Sequence, residues 1–259
     1  QGLTPGVTKQ VLQRARSHRL SRRDMGRLLS LLAISLSTGL VVHQQTPWQR
    51  LVADASTRIG ERKTLDMADG NRLLLNTDTA VSLSTVEDQH RLVLHRGEIL
   101  IDSASINRRA FYVETPFGEV QSASSFMVRL DSNAARVNAQ QGELLLTPRR
   151  GPSETIIASE GRLLTDTGIQ RWAVPDFQLD SWINGIIAAR NMRLADLLAE
   201  LSRYRQGYIR CDPRIADLRV SGSFQLENTQ STLEFLAQTQ SLQLTWLTRF
   251  MVIVSPQVA

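Results

Sequence analysis

A run of 22 residues without a formal charge, from Leu28 to Gln49, is the feature that most limits how this chain can fold. A helix that spans a bilayer needs about 20 apolar residues. The most apolar part of the run, residues 28–42, is only 15 residues long and contains Ser, Thr and Gly, so hydropathy leaves a signal segment or a buried helix as alternatives. No small-x-small cleavage pattern follows the run. We therefore predict an uncleaved transmembrane helix at residues 28–48.

The basic charge of the chain lies on one side of this run. Residues 1–27 contain seven bases and one acid, net +6, and because the whole chain carries +5, residues 28–259 sum to −1. A nearly neutral body lacks the charge that binding to a nucleic-acid backbone requires. By the positive-inside rule the basic segment is cytoplasmic and the rest is extracytoplasmic. These residues predict a single-pass protein of the inner membrane with a periplasmic C-terminal part.

Two of the bases, Arg22 and Arg23, form a twin-arginine pair directly before the apolar run. Such a pair is typical of a twin-arginine export signal. The pair also satisfies the positive-inside rule without any further role. Both interpretations stay open.

Residues 57–172 have short apolar clusters that alternate with polar residues and end at Gly, Asp or Asn. This period of two predicts an all-β domain, either a sandwich, a barrel or a solenoid. Ala68-Asp-Gly-Asn71 predicts a tight hairpin turn between two of the strands. A Gly-Glu pair occurs twice, at Gly97-Glu98 and Gly142-Glu143, and we expect both glutamates to face solvent.

Residues 178–256 mix helical and strand patterns. Leu194, Leu197, Leu198 and Leu201 form the apolar stripe of a helix over residues 193–204, with Asn191 as its N-cap and Gly207 as its stop. A second helix, capped by Asn228 or Ser231, has an inner face of Leu233, Leu236 and Ala237. Residues 242–246 and 250–254 predict a hairpin. The result is a small α+β domain with edge strands available for pairing.

The sequence offers little for catalysis or cofactor binding. His90 and His95 flank one predicted strand at odd spacing and would face opposite sides, and Cys211 is the only cysteine. Trp172, Trp182 and Trp246 suit a sugar-binding platform or ordinary core packing. We expect no metal, no cofactor and no enzymatic activity.

The segments in this order resemble one family. Residues 60–76, 92–98 and 111–115 are similar to the periplasmic domain of the ferric citrate regulator (FecR-type) regulators of sigma factors. Residues 182–185, 194–204 and 218–224 resemble its C-terminal segment, a short N-terminal domain of the secretin and TonB (STN) type. The resemblance covers residues 20–255. It implies a mainly β protein: a basic juxtamembrane segment (1–27), a transmembrane helix (28–48), a FecR-type all-β domain (57–172) and an STN-like βαβ-βαβ domain (178–256).

The resemblance also implies a function and partners. The periplasmic part would bind the N-terminal signalling domain of a TonB-dependent outer-membrane transporter loaded with a siderophore or another iron chelate. Periplasmic and intramembrane proteases would then release a cytoplasmic domain that controls an extracytoplasmic-function (ECF) sigma factor. The family carries an anti-sigma domain before the anchor, where this sequence has about 24 residues. Sigma-factor binding is therefore expected from the resemblance alone.

We expect partner binding through an edge strand, since unpaired backbone groups give affinity and outward side chains set specificity. The candidate residues are Arg219, Val220, Ser221, Gly222, Phe224, Leu226 and Trp246. Internal pairing of this strand is the competing interpretation. The alternative function is an envelope assembly protein that binds a secretin-like partner through the same domain. A carbohydrate-binding or hydrolytic protein would need a pair of acids that the sequence does not offer.

Overall fold

The computed structural model describes residues 53–86, 89–104, 109–172 and 177–257. The predicted transmembrane helix and the Arg22-Arg23 pair lie outside these residues. Within them, no helix combines the length and the apolar character that crossing a bilayer would take. Residues 49–259 form one compact unit.

The first part of this unit is built from short strands, as the period-two pattern predicts. They are β1 (Ala55–Ser56), β2 (Lys63–Asp66), β3 (Arg72–Leu75), β4 (Ala80–Val86), β5 (Gln89–Asp102), β6 (Phe111–Thr115), β7 (Gly118–Ser122), β8 (Phe126–Leu130), β9 (Ala134–Ala139), β10 (Glu143–Pro148), β11 (Glu154–Ile157), β12 (Gly161–Thr165) and β13 (Gly168–Arg171). Their pairing is antiparallel except between β5 and β6, which run parallel. The predicted hairpin is confirmed as β2–β3, where the N–H of Met67 donates to the carbonyl of Asn71 at 2.9 Å.

Two sheets share the long strand β5. One sheet has the order β1-β4-β5-β6-β7-β10-β11 and the other the order β2-β3-β5-β8-β9-β12-β13. Inward side chains of both sheets meet in one core, which includes Leu92, Phe111, Phe126 and Val137. Among the predicted alternatives, this arrangement is a sandwich.

Gly97 allows β5 to leave one sheet and enter the other. It has φ +89°, and a Cβ there would lie 2.3 Å from Oγ1 and 2.5 Å from Cα of Thr79. The pairing of β5 with β4 shifts register at this point, between Ala80 and Val81. No residue with a side chain fits without moving the neighbouring backbone.

The second sheet is buried on both faces near its middle. Leu73, Ile99 and Phe126 face the sandwich core. Their neighbours Leu74, Leu100 and Met127 point the other way, because successive side chains of a strand alternate, and they join a second core. The second core belongs mainly to the C-terminal part of the chain.

The C-terminal part contains two three-stranded sheets and two helices. Its elements are β14 (Phe177–Gln178), β15 (Ile186–Arg193), α1 (Leu194–Ser202), β16 (Tyr208–Cys211), β17 (Arg219–Gln225), α2 (Thr229–Thr239), β18 (Leu242–Thr248) and β19 (Met251–Pro256). The sheet orders are β14-β15-β17 and β16-β19-β18. Both helices are confirmed, and so is the β18–β19 hairpin. The mainly β fold is likewise as predicted.

The start of α1 differs from the prediction. Asn191 does not cap the helix but lies within β15 at φ +54°, at the point where the pairing of β15 with β17 shifts register. Arg193 is the N-cap, in an extended conformation. The predicted cap of α2 is confirmed at Asn228, whose Oδ1 accepts from the N–H of Ser231 at 3.0 Å. Asparagine is common both at helix N-caps and at positive φ in a bulge, so the sequence alone does not distinguish the two positions for Asn191.

Gly97→Ala should destabilise the fold much more than Gly70→Ala. Both glycines have positive φ, but the nearest atom to a Cβ at Gly70 is 3.8 Å away. The strain of a left-handed alanine costs about 1–2 kcal/mol at either site, and overpacking against Thr79 adds about 1–3 kcal/mol at Gly97. Urea unfolding of the two variants measures the difference. Equal losses would show that β5 does not need glycine at its crossing point.

Candidate protein-interaction site

Strand β17 forms an open edge of its sheet among the described residues, because it pairs on one side only, with β15. Val220 and Phe224 point into the core, while Arg219, Ser221 and Ser223 are exposed. An edge strand of this kind carries backbone groups that another chain can pair with.

A single hydrogen bond fixes which backbone groups face the open side. The N–H of Leu226 donates to the carbonyl of Gly185 at 2.9 Å. Since alternate residues of an antiparallel strand bond to the same neighbour, the backbone groups of Ser221, Ser223 and Gln225 face away from β15. The carbonyl of Gln225 accepts from the hydroxyl of Thr232, on α2, at 2.8 Å. The free edge therefore runs along Ser221 and Ser223 and ends where α2 covers it.

A groove lies between this end of β17 and helix α2. It has a volume of about 280 Å³ and is lined by Ser223, Phe224, Gln225, Asn228, Ser231, Thr232 and Phe235. The ring of Phe235 is 57% exposed. An extended segment that pairs with Ser223 would lie in this groove and contact that ring.

The structure divides the predicted site residues into three groups. Arg219, Ser221 and Gly222 lie exposed on β17. Val220, Phe224 and Leu226 are buried and turn their backbone groups to β15, so a partner could reach only the edge of a ring. Trp246 lies on β18, in the other sheet, and is not brought together with β17.

Phe235 was missed in the sequence. It lies two residues after Leu233, outside the apolar stripe that Leu233, Leu236 and Ala237 form on α2. A large apolar residue on the polar face of an amphipathic helix is the signal that could have identified it.

A buried charge network joins the C-terminal part to the sandwich. Arg203 Nη2 lies 2.6 Å from Glu98 Oε2, and Arg203 Nη1 lies 3.0 Å from Glu200 Oε2. Arg129 Nη1 extends the network to Glu200 Oε1 at 2.6 Å. Asn76 Nδ2 donates to Glu98 and to the hydroxyl of Tyr204, each at 2.8 Å. Each charge in the network therefore has an opposite neighbour.

The prediction that Glu98 faces solvent is wrong, whereas Glu143 is exposed. Glu98 shares the outer face of its strand with Leu100 and lies directly opposite Arg129 on β8. That face is covered by the C-terminal part of the chain, which the local pattern around Gly97-Glu98 does not reveal.

The network fixes the ionisation of its members. Burial by itself raises the pKa of Glu200, but the guanidinium groups of Arg203 and Arg129 outweigh it and hold its pKa at about 2. Burial acts to lower the pKa of Arg203, and the carboxylates of Glu98 and Glu200 raise it well above the ordinary value. Burial also raises the pKa of Tyr204, which stays neutral.

The site offers the means of binding another chain. In the four described ranges, no group of three or more His, Cys, Asp or Glu residues is placed to hold a metal ion. His90 pairs with Asp69 and His95 with Ser82, on opposite sides of β5. In strand addition, the unpaired backbone groups of an edge strand bind the partner's backbone, and nearby side chains such as an exposed aromatic ring contact its side chains.

Comparison with known proteins gives a family match within the sandwich. Residues 53–145 match the family model described as FecR protein, which confirms the resemblance for this part of the chain. Two crystal structures of a candidate anti-sigma factor from Parabacteroides distasonis share the fold, with TM-scores of 0.58 and 0.59 at 16% and 17% identity. The alignments cover 79% of this chain and 98–99% of the other. No curated protein sequence matches significantly.

Glu200→Gln should change how stability depends on pH. The carboxyl group has a pKa near 4.5 when unfolded and about 2 when folded, so its contribution is complete above the unfolded value and is lost as pH falls toward 2. At neutral pH the variant should lose about 3 kcal/mol, because Arg129 and Arg203 stay buried with less compensation.

Urea unfolding midpoints at a series of acidic pH values measure this effect. The wild type should approach the variant as pH falls, while Glu234→Gln, on the surface of α2, should keep the wild-type profile. A difference between wild type and Glu200→Gln that does not change with pH would contradict the assigned ionisation.

Proposed function

We propose that this protein is a regulator of a sigma factor whose extracytoplasmic part receives a signal by binding another protein. The match of residues 53–145 to the FecR protein family carries the proposal. The described residues support a binding role, since their candidate site consists of an open strand edge and a groove. The sigma factor would be of the extracytoplasmic-function class and would be contacted on the cytoplasmic side.

The partner at the open edge would be the N-terminal signalling domain of a TonB-dependent outer-membrane transporter. A strand of that domain would pair with the free backbone groups of Ser221 and Ser223 and place an apolar side chain on Phe235. Backbone pairing supplies affinity, and the exposed side chains of β17 discriminate among partners. The C-terminal part would then act as an STN-like domain, with boundaries near residues 178 and 256.

The signal would pass through a stiff connection. The C-terminal part shares a hydrophobic core with the outer face of the sandwich, and the Glu98–Arg203–Glu200–Arg129 network lies at the same contact. A force that a partner applies to β17 would therefore be transmitted to the sandwich and would not be absorbed by a flexible hinge. A membrane anchor at residues 28–48 and cleavage by periplasmic and intramembrane proteases would complete the relay to the sigma factor.

Ser223→Pro should weaken binding of the transporter signalling domain. The substitution removes an N–H that faces the open edge and leaves the bonds from β17 to β15 in place. Loss of this bond and of the close backbone approach should raise the Kd by roughly tenfold. Isothermal titration calorimetry with the purified signalling domain measures it, and a reporter of the sigma regulon shows whether signalling falls in parallel.

Ser223→Ala is the matched control, because it removes the same hydroxyl and keeps the N–H. Phe235→Ala should weaken binding without changing thermal stability, since its ring is exposed. Wild-type affinity in Ser223→Pro would exclude strand addition at β17. Binding to a secretin domain in place of the transporter domain would favour the envelope-assembly function.

A further inference from the structure

The β18–β19 hairpin carries a second exposed apolar surface, separate from β17. Trp246, Leu247 and Phe250 lie around its turn, with Leu247 54% exposed. Arg205 and Arg249 lie among them. We refer to these five residues as the hairpin patch.

Among the described residues, neither arginine of the hairpin patch forms an ion pair with a carboxylate. Arg205 Cζ lies 5.2 Å from the centroid of Trp246, and Arg249 Cζ lies 4.5 Å from that of Phe250. In the part of the chain that the structure describes, no acidic oxygen is within 4.0 Å of either guanidinium. Burial lowers the pKa of Arg205, whereas paired arginines such as Arg203 have theirs raised. Arg249 is exposed and available to an external anion, whereas Arg205 is half-buried, with its Nη1 atom enclosed.

A groove beside the hairpin patch contains one acidic side chain among its lining residues. This is Glu227, which lies 3.7 Å from Arg62 and is thus already neutralised in part. The residues that line the groove therefore carry two arginines against one glutamate, a net positive charge that favours a negatively charged surface.

The segment that carries Arg205 lies beside Gly60, in the early part of the described chain. A Cβ at Gly60 would be 3.1 Å from the carbonyl of Tyr204, the residue before Arg205. Arg205 Nη2 donates in turn to the carbonyl of Arg249 at 3.3 Å. Ile59, next to Gly60, is itself 43% exposed. Gly60 and Arg205 are therefore close neighbours in the fold.

We propose that the hairpin patch binds the surface of a bilayer that contains anionic phospholipids. Trp246, Leu247 and Phe250 would enter the headgroup region, and Arg249 would contact lipid phosphates, with the half-buried Arg205 adding positive charge beside Trp246. Aromatic rings with a flanking leucine and arginines are the composition of interfacial membrane contacts. The inference rests on the membrane anchoring given under the proposed function.

The chemistry of the patch favours a membrane over a protein partner. Exposed aromatic and aliphatic side chains beside an arginine without a carboxylate partner in the described residues complement an apolar layer with an anionic surface. Contact there would orient the body and leave the groove beside β17, in a different sheet, to the transporter domain.

Vesicle flotation with residues 49–259 tests the inference. This segment is a compact unit that contains both hydrophobic cores, so it can be produced without the predicted helix. It should float with vesicles of phosphatidylcholine and phosphatidylglycerol, and much less with phosphatidylcholine alone. Leu247→Ser combined with Phe250→Ser should lower the partition coefficient by roughly tenfold, and Arg249→Glu should remove the preference for anionic lipid.

Phe235→Ser is the matched control, because it deletes an exposed aromatic ring from the other groove and should leave flotation unchanged. Titration with the transporter signalling domain separates the two proposals: the hairpin variants should keep its affinity. Failure to float with anionic vesicles, or flotation of the double variant at the wild-type level, would overturn the inference. Loss of transporter-domain binding in the hairpin variants would assign the patch to a protein partner and overturn it too.

Discussion

The burial of one sheet on both of its faces is the constraint on which the described structure depends. Strands β3, β5 and β8 contribute Leu73, Ile99 and Phe126 to the sandwich core and Leu74, Leu100 and Met127 to the core of the C-terminal part. Each contact follows from the alternation of side chains along a strand. Without the C-terminal part, these three large apolar side chains would be exposed side by side. The two parts of the chain therefore depend on each other.

The charge network is a consequence of the same alternation. Glu98 and Arg129 are the next pair on the same outer face after Leu100 and Met127. The outer face therefore changes from apolar to ionic at its rim. Buried ion pairs contribute little net stability compared with apolar packing. They do penalise any other docking of the C-terminal part, since a displaced part would leave Glu98 or Arg203 buried and unpaired.

Local patterns predicted the elements well and their mutual arrangement less well. The Asp69-Gly70 turn, the leucine stripe of α1 and the Asn228 cap follow from interactions within a few residues, and all three are present. Strand β15 was not predicted, because Asn191 at positive φ interrupts its pattern. The environment of Glu98 depends on Arg203, 105 residues away, so no local pattern could reveal it. The triplets Leu73-Leu74-Leu75 and Ile99-Leu100-Ile101 did carry a usable signal, since strands covered on both faces are continuously apolar.

The alternation along β17 has a consequence for recognition. Val220 and Phe224 secure the strand from within, whereas Arg219, Ser221 and Ser223 touch nothing in the core. Substitution of these outward residues would therefore change recognition with little effect on the core, at the cost of the hydrogen bonds that Arg219 and Ser221 make to the backbone of Asn191. Under the proposed function, a single strand would thus allow one scaffold to recognise different partners.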